Sequence, residues 1–354
     1  MIALDRRAPN IRGQTLLSGR KGDVSRITME DVAREAGVSR ALVSLAYRGA
    51  VGVSERTRHR ILETGRRLNY TPNRVAARLA EHATSTFGVF LQDLHNDLFA
   101  DIYDGLRGIA DAENKHLVLA VGTADGQRDA DALDTLQQSR VDVIIAAGLQ
   151  LSDEGVIGLN NRVPVVSVAR HIPTVDSVVS DNYLGARSAT QYLIELGHRK
   201  IVFLANPPTD GYLDRRIGYE AAMAHAGLHS HVVLTTYSKS TAALDAGAII
   251  DSQNSPTAIF AHNDQAAFGV LEALATRGLV AGRDVSVVGY DNSSVSRAPG
   301  TALTTVDIHS QSLGRSAALM ALHRLSNIGG EAQIQTSVPS LVIRSTTGPN
   351  LSSQ

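Results

Sequence analysis

The chain has 354 residues, of which 43% are apolar and 19% are charged. This length exceeds a single compact domain and predicts two or three domains with a sizeable buried core. No apolar run is long enough to cross a bilayer, no signal-peptide stretch precedes the first predicted helix, and cysteine is absent. These features exclude disulfides and thiolate metal sites, and they predict a cytoplasmic protein with no membrane partner.

Charge is unevenly distributed along the chain, although the total is only −1. Residues 1–78 contain 16 Lys and Arg against 7 Asp and Glu, a net charge of +9, whereas the remainder has 18 basic and 28 acidic residues, a net charge of −10. A basic amino-terminal part suits the phosphates of nucleic acid. On charge alone, a solvated helical face would explain these arginines equally well.

Three short helices in a helix-turn-helix arrangement are predicted over residues 27–72, after an extension, 1–26, that we expect to be disordered. Thr28, Ser39 and Ser54 are the predicted N-caps, and Gly37 ends the first helix. The second helix should bury one face and present the other to a DNA groove. Its outward residues are predicted to be Arg40, Ala41, Ser44 and Arg48.

From Phe87 onward, apolar strand-like runs alternate with amphipathic helical stretches. The runs are FGVFL, HLVLAV, VDVIIAAG, VPVVSVA, KIVFLA, HVVLTTY, TAIFAHND and VSVVGYD. Continuous apolar strands predict parallel sheets that are buried on both faces. A βαβ region of this length should divide into two lobes with a ligand cleft at the strand carboxyl ends. The predicted fold class is therefore α/β with an all-α head.

Eight fragments between about Ile27 and Thr346 resemble, in order, the bacterial LacI/GalR-type transcriptional regulators. They are DVAREAGVS, NYTPNRVAARLA, VVSDN, LGHRKI, RRIGY, PTAIFAHND, VSVVGYD and LTTV. The resemblance implies a homodimer that binds a roughly palindromic double-stranded DNA operator. It also favours a repressor over an activator. It also implies a two-lobed, periplasmic-binding-protein-like effector and dimerisation domain of doubly wound parallel sheets over residues 86–347. Its effector would be sugar-like, no cofactor or metal is implied, and the tail, 348–354, lacks the heptads of a tetramer-forming coil.

The same resemblance implies that residues 73–85 form a hinge helix and linker. Leu79 would wedge between base pairs in the minor groove, and packing of Leu79 under the body is the alternative. The DNA contacts implied for this segment are Asn73, Ala77, Arg78 and Leu79.

On the second helix, the chain departs from the family pattern: Leu45 stands where many members have arginine, and Arg48 where asparagine is usual. We expect arginines to grip bases there, and Ala41, Leu42 or Leu45 to touch a thymine methyl. The operator should therefore differ from the commonest family sequence. The implied contacts of the head are Thr28, Ser39, Arg40, Ala41, Leu42, Ser44, Leu45 and Arg48.

Effector contacts are also implied by matched family positions. They are Asp93, Asn96, Phe99 and Arg170 in the first lobe and Arg215, Asn263, Asp264 and Asp291 in the second. Ala169 stands where a ligand-binding aspartate often occurs, which counts against a common monosaccharide. A surface pair of Arg215 with Asp214 or Asp210 is the alternative for that arginine.

Other polar residues have structural interpretations. Asp181 and Asn182 are expected to cap a helix, and His198 to make a fold-supporting hydrogen bond. The cluster His225, His229 and His231 should face solvent rather than bind metal, because no carboxylate or cysteine pattern accompanies it.

Enzyme motifs are missing from the sequence, including G-x-G-x-x-G, the phosphate-binding G-x-x-x-x-G-K-[ST], H-E-x-x-H and G-x-S-x-G. The chain is therefore not expected to be an enzyme. A periplasmic sugar-binding protein is the main alternative for the body, but it should lack the basic head. A sugar-modifying enzyme with an appended DNA-binding module is a more distant one.

Overall fold

The computed structural model describes residues 27–70, 86–205, 212–300 and 302–350. It divides into two compact units, the first within residues 27–70 and the second within residues 86–350. Among these described residues, no helix is long and apolar enough to cross a membrane. The predicted extension 1–26 lies outside the described residues, as do the hinge contacts Asn73, Ala77, Arg78 and Leu79. The domain boundaries and the hinge stay predictions.

The first unit consists of three helices: α1 Met29–Ala36, α2 Arg40–Tyr47 and α3 Glu55–Arg67. The three predicted N-caps are confirmed, because Thr28, Ser39 and Ser54 each accept a hydrogen bond from the backbone N–H three residues later. Gly37 ends α1 in the left-handed region, with φ 63°. Helices this short are marginal alone and depend on a shared core. That core is formed by Val32, Ala33, Ala36, Val43, Ala46 and Ile61.

The first lobe of the second unit is built on a six-stranded sheet, sheet A. Its strands are β1 Thr86–Leu91, β2 His116–Val121, β3 Val143–Ala147, β4 Val165–Val168, β5 Asp176–Ser180 and β11 Ile334–Ser337. Their order is β11-β5-β4-β3-β1-β2, and every neighbouring pair is parallel. The helices of this lobe are α4 Asp97–Ala112, α5 Asp129–Gln138, α6 Asp153–Asn160 and α11 Ser310–Ser326.

The second lobe is built on sheet B. Its strands are β6 Ile201–Ala205, β7 His231–Leu234, β8 Ala258–Ala261, β9 Ser286–Asp291, β10 Thr304–Asp307 and β12 Ser340–Val342. The order is β12-β10-β9-β8-β6-β7, in which only β12 runs antiparallel to its neighbour. The helices are α7 Asn182–Glu195, α8 Tyr212–His225, α9 Lys239–Ile250 and α10 Asp264–Ala275.

Within residues 86–350, as far as the structure describes them, the chain crosses between the lobes three times, after β5, after β10 and after β11. Each central strand is buried along its whole length, as the continuous apolar runs predicted. The predicted α/β class with an all-α head is therefore confirmed. Because sheet A and sheet B are both doubly wound, the carboxyl ends of their strands are where a ligand is expected.

Candidate nucleic-acid interface and candidate ligand cleft

The outward face of α2 carries the side chains predicted to read DNA. Arg40 and Ala41 are exposed, Ser44 is half-buried, and Arg48 is exposed at the carboxyl end of the helix. The Arg40 Nε atom lies 3.0 Å from Glu30 Oε1, and Arg48 Nε donates to the Ser44 carbonyl at 3.3 Å. Both contacts, an ion pair and a hydrogen bond to the backbone, are at the surface, where such contacts contribute little, so phosphate or base groups can compete for these guanidinium groups.

Leu42 and Leu45 have different surroundings, although the sequence treated them alike. Leu42 packs against the core of the first unit. Leu45 shares its helix face with Ala41 and is not among the side chains of residues 27–70 that pack on that core. The structure therefore directs Leu42 inward, which narrows the expected apolar groove contact to Ala41 and Leu45.

The arginines of α3 divide into two kinds. Arg56, Arg60 and Arg66 are exposed, and they give this helix a positive outer face. Arg58, by contrast, donates from Nη2 to the Ala50 carbonyl at 2.8 Å and so holds the loop before α3. An exposed positive face of this kind suits a phosphate backbone.

In the second unit, Arg215 lies in the first turn of α8 and is almost completely buried. Its Nε donates to Asn182 Oδ1 at 2.9 Å, and its Nη1 donates to the His262 carbonyl at 2.6 Å. The guanidinium carbon lies 3.8 Å from the centre of the Tyr290 ring, a cation–π arrangement. The surface pairing with Asp214 that the sequence left open is therefore wrong.

Asp291 at the end of β9 is the acidic partner of Arg215. Its Oδ1 lies 3.7 Å from Arg215 Nη2, and it has no hydrogen-bond partner among the described residues. Burial raises the pKa of Asp291 well above its ordinary range, and the Arg215 charge offsets only part of this effect. The fold thus holds a desolvated carboxylate oxygen that could accept a hydrogen bond from a ligand.

Asp264, at the start of α10, is also buried but is fully engaged. Its carboxylate accepts hydrogen bonds from Thr305 Oγ1 at 2.6 Å and from the Ser293 N–H at 2.8 Å. Burial raises the pKa of Asp264 to about 6, which these hydrogen bonds partly counteract. Through its hydrogen bond from the Ser293 N–H, Asp264 holds the loop after β9 in place.

Three residues at helix starts have defined roles. Asp181 caps α7 by accepting from the Leu184 N–H, as predicted, and Asn263 caps α10 by accepting from the Ala266 N–H at 2.8 Å. Asn182 does not cap α7, because its Oδ1 accepts from Arg215; that part of the prediction is wrong. Asn182 orients the arginine instead.

The predicted residues of the first lobe are more dispersed. Asp93 accepts from the His95 N–H at 2.9 Å, and Asn96 caps α4. Phe99 is buried in the apolar core. Arg170 donates to the Leu149 and Leu151 carbonyls and to Asp153, so in this structure its guanidinium stabilises the loop after β3.

Two residues that the sequence did not single out join the lobes. Arg297, in the loop after β9, reaches both carboxylate oxygens of Asp101 on α4 at 3.4 Å. Gln265 also donates across the lobes to the His95 carbonyl, at 3.5 Å. Their separation along the chain explains why no local pattern signalled them.

The histidines follow the structural interpretation where the structure describes their contacts. His198 hydrogen-bonds to Thr257 Oγ1 and Ser286 Oγ, at 3.0 and 2.9 Å, and so supports the fold. Burial lowers the pKa of His198. No group of three metal-ligating side chains occurs within the described ranges, His225, His229 and His231 included.

Comparison with known proteins gives this geometry a context. Residues 28–73 match the sequence profile "Bacterial regulatory proteins, lacI family", and residues 190–347 match "Periplasmic binding protein-like domain". Catabolite control protein A of Priestia megaterium is 32% identical over 79% of this chain and 87% of its own length. The chain belongs to the LacI family. The predicted family is thereby confirmed, and with it a place among DNA-binding transcriptional regulators.

Solved structures agree with this assignment to the LacI family. The lac repressor dimer bound to operator and the anti-inducer ONPF is 26% identical, with a TM-score of 0.77; the match covers 92% of this chain and 100% of that one. The transcriptional regulator CelR in complex with cellobiose is 27% identical, covers 91% and 100%, and has a TM-score of 0.67.

Proposed function

We propose that the chain is a transcriptional repressor that binds a palindromic operator as a homodimer and changes its DNA affinity when a neutral, hydroxyl-rich effector binds between the lobes. The observation that carries the proposal is the combination of a basic reading head with Asp291, a buried acid at a strand end whose Oδ1 has no hydrogen-bond donor among the described residues. The similarity to the lac repressor dimer bound to operator supports the first half, and the similarity to CelR bound to cellobiose supports the second.

DNA reading by α2 follows from its outward side chains. Arg40 and Arg48 supply charge-assisted donors, and Ala41 and Leu45 supply apolar surface between them. An apolar side chain in the major groove distinguishes thymine by its methyl group. We therefore expect each half-site to contain a thymine opposite Leu45, in place of the guanine that an arginine would select.

The operator experiment is selection from a randomised duplex library, followed by replacement of each selected thymine by uracil. Loss of the methyl group opposite Leu45 should lower the DNA affinity of the wild-type protein several-fold. The affinity of the Leu45→Ala variant should remain almost unchanged. Arg56→Ala alters only a predicted phosphate contact. This variant should bind all duplexes more weakly by the same factor, and its affinity should still fall when the thymine is replaced by uracil. Recovery of no preferred duplex would contradict the proposed function itself, whereas equal binding of both bases would contradict only the role of Leu45.

The effector class follows from the charges at the cleft. Asp264 and Asp291 are fully buried at the strand ends, Asp101 is buried opposite them, and Arg215 is the buried base beside them. Ligand hydroxyls can donate to Asp291 Oδ1, whereas an ionised carboxylate or sulfate group supplies no donor for that oxygen. The prediction from Ala169 that a common monosaccharide is disfavoured points further to a larger sugar or polyol.

Thermal-shift screening tests this class directly on the full chain. A ligand at one hundred times its Kd should stabilise the second unit by about 2.7 kcal/mol, or roughly 5–10 °C in Tm. Neutral sugars and polyols should provide the hits. Stabilisation by sugar phosphates alone would refute the neutral class.

A groove between the lobes supports an effector site. A cavity of about 620 Å³ is lined by Phe268, Leu271 and Val295 of the second lobe and by His95, Asn96 and Asp97 at the start of α4 in the first lobe. Because Asn96 is one of the implied effector contacts, a ligand in this cavity would contact both lobes. Phe268→Glu should therefore weaken the thermal shift given by a sugar, whereas Leu244→Glu, an exposed apolar site on α9, should leave it unchanged. An unchanged thermal shift in Phe268→Glu would count against this groove. The homodimer is tested separately by sedimentation, where a stable monomer at micromolar concentration would contradict it.

A further inference from the structure

The carboxylate of Asp101 on α4 is one of the points where the second lobe touches the first. Arg297 Nη2 lies 3.4 Å from both of its oxygens, and the backbone N–H of Ser294 also hydrogen-bonds to it. Asp101 is 6% exposed and Arg297 is 42% exposed. Both donors belong to the loop that follows β9, so a movement of this loop must change its contact with the first lobe.

The same loop is tied to the residue beside Asp291. Arg297 donates from Nη1 to the Asn292 carbonyl at 3.0 Å. Asn292 Nδ2 donates to Asp307 Oδ2 at 3.0 Å, and Arg344 donates to Asn292 Oδ1 at 2.7 Å. Asn292 therefore joins the Asp101 contact to the end of β10.

From Asp307 the polar contacts reach a crossover between the lobes. Asp307 Oδ1 accepts from the His309 N–H at 2.7 Å, and His309 has a left-handed φ of 58° immediately before α11. Helix α11 packs on α4, the helix that carries Asp101, with Gly105 against the backbone of Gln311. These contacts therefore run from Asp101 on α4, through Asn292 and Asp307, to His309 and α11, which packs back on α4. They include the interlobe contact of Asp101 with Arg297 and the crossover that follows β10.

We propose that Asp101 and Arg297 are positioning residues whose contact holds the two lobes in this arrangement, and that Asn292 transmits a change at Asp291 to that contact and to the crossover at His309. A ligand hydroxyl that binds Asp291 would move the neighbouring Asn292 carbonyl, on which Arg297 depends. The consequence for DNA rests on the proposed function, but the lobe arrangement itself can be measured without ligand or operator.

The absence of cysteine allows site-specific labelling for this test. Exposed positions in the two lobes, Glu154→Cys and Leu244→Cys, would carry a donor and an acceptor dye for single-molecule energy transfer on the full chain. An excess of unlabelled protein would keep each dimer to one labelled chain. Loss of a partly exposed charge-assisted contact should shift the equilibrium between lobe arrangements by roughly 2- to 10-fold.

Arg297→Ala and Asp101→Asn should each increase the population whose interlobe distance differs from that of this structure, and the double variant should show little further change. Arg277→Ala is the matched control, since it breaks a 2.6 Å ion pair with Asp251 inside the second lobe and should leave the distances unchanged. Calorimetry would confirm that all variants are folded. Unchanged distances in Arg297→Ala and Asp101→Asn, or additive effects in the double variant, would overturn the proposal whatever the DNA-binding result.

Discussion

Replacement of Gly105 by alanine should destabilise the second unit, because this glycine lies where α4 and α11 touch. A Cβ at Gly105 would lie 2.0 Å from the carbonyl oxygen of Gln311, and a Cβ at Gly314 would lie 2.0 Å from that of Ile102. Contacts between carbon and carbonyl oxygen normally lie near 3.3–3.6 Å, so the helices would have to separate by roughly 1 Å. Because both clashing atoms belong to the backbone, no side-chain rotation can relieve the contact.

The magnitude follows from the packing around this crossing. Ile102, Leu106 and Leu313 are buried there, and excess volume in such a core costs about 1–3 kcal/mol and occasionally more. Helix propensity acts in the opposite direction, since alanine is favoured over glycine by up to about 1 kcal/mol. Since a backbone clash belongs at the upper end of that cost, we expect a net loss of about 1–2 kcal/mol, which for a unit of this size lowers Tm by roughly 2–8 °C.

The matched control is Gly108→Ala on the same helix, where a Cβ would meet nothing within 4 Å. This change should raise stability by about 0.5–1 kcal/mol, because only the propensity difference remains. The chain has no tryptophan, so calorimetry or far-ultraviolet circular dichroism is the suitable measurement. Equal responses of the two variants, or a Gly105→Ala protein as stable as the wild type, would refute the close-packing argument.

Three further predictions concern single side chains. Burial raises the pKa of Asp264 from 3.8 to about 6, so the folded state keeps this proton to a higher pH than the unfolded chain does. The free energy of unfolding should therefore fall by about 3 kcal/mol as pH rises from about 4 to 6. In the Asp264→Asn variant, unfolding measured across the same pH range should not show this fall. Glu35→Gln breaks an exposed pair with Arg67 and should cost less than about 1 kcal/mol in urea unfolding at low salt, with no effect in high salt. Tyr219→Phe removes a buried hydroxyl that donates to the Ile201 carbonyl, and it should lower the free energy of unfolding by about 1–3 kcal/mol. Calorimetry measures this loss, and an unchanged stability would contradict the prediction.

Local patterns predicted the elements that local physics decides. The caps Thr28, Ser39 and Ser54 and the inward Val43 follow from the sequence because helix starts and helical faces are set by neighbours within four positions. The central strands were equally clear, since a strand covered on both faces must be apolar throughout. Strand β11 gave no such signal, because its residues are largely exposed at the edge of sheet A.

The site could be predicted only in part, because its key contacts join distant segments. Arg215 was identified from its family position, but its partners Asn182 and Tyr290 lie on other elements and share no spacing with it. The contact of Asp101 with Arg297 spans 196 positions of the chain. Such pairs depend on how β5 and β10 lead the chain across the lobes, and a single sequence does not specify that geometry.

Backbone strain collects at the strand ends that face the predicted cleft. Asp291 has a φ of 111° and Asn292 a φ of 50°, while Ala169 after β4 has a φ of 69°. Non-glycine residues remain in this region only where surrounding contacts hold them. Asn292 has such contacts, in its hydrogen bonds with Arg297, Asp307 and Arg344.

Asp291 has weaker support, because its Oδ1 is buried at 3.7 Å from Arg215 Nη2 and has no hydrogen bond among the described residues. A desolvated acceptor of this kind lowers the stability of the ligand-free protein by about 1–3 kcal/mol, and more when it is charged. A ligand donor at that oxygen would recover part of this free energy, whereas a ligand that contacts only satisfied groups would recover none. Effector binding at Asp291 should consequently be coupled to stability more strongly than binding elsewhere on the second unit.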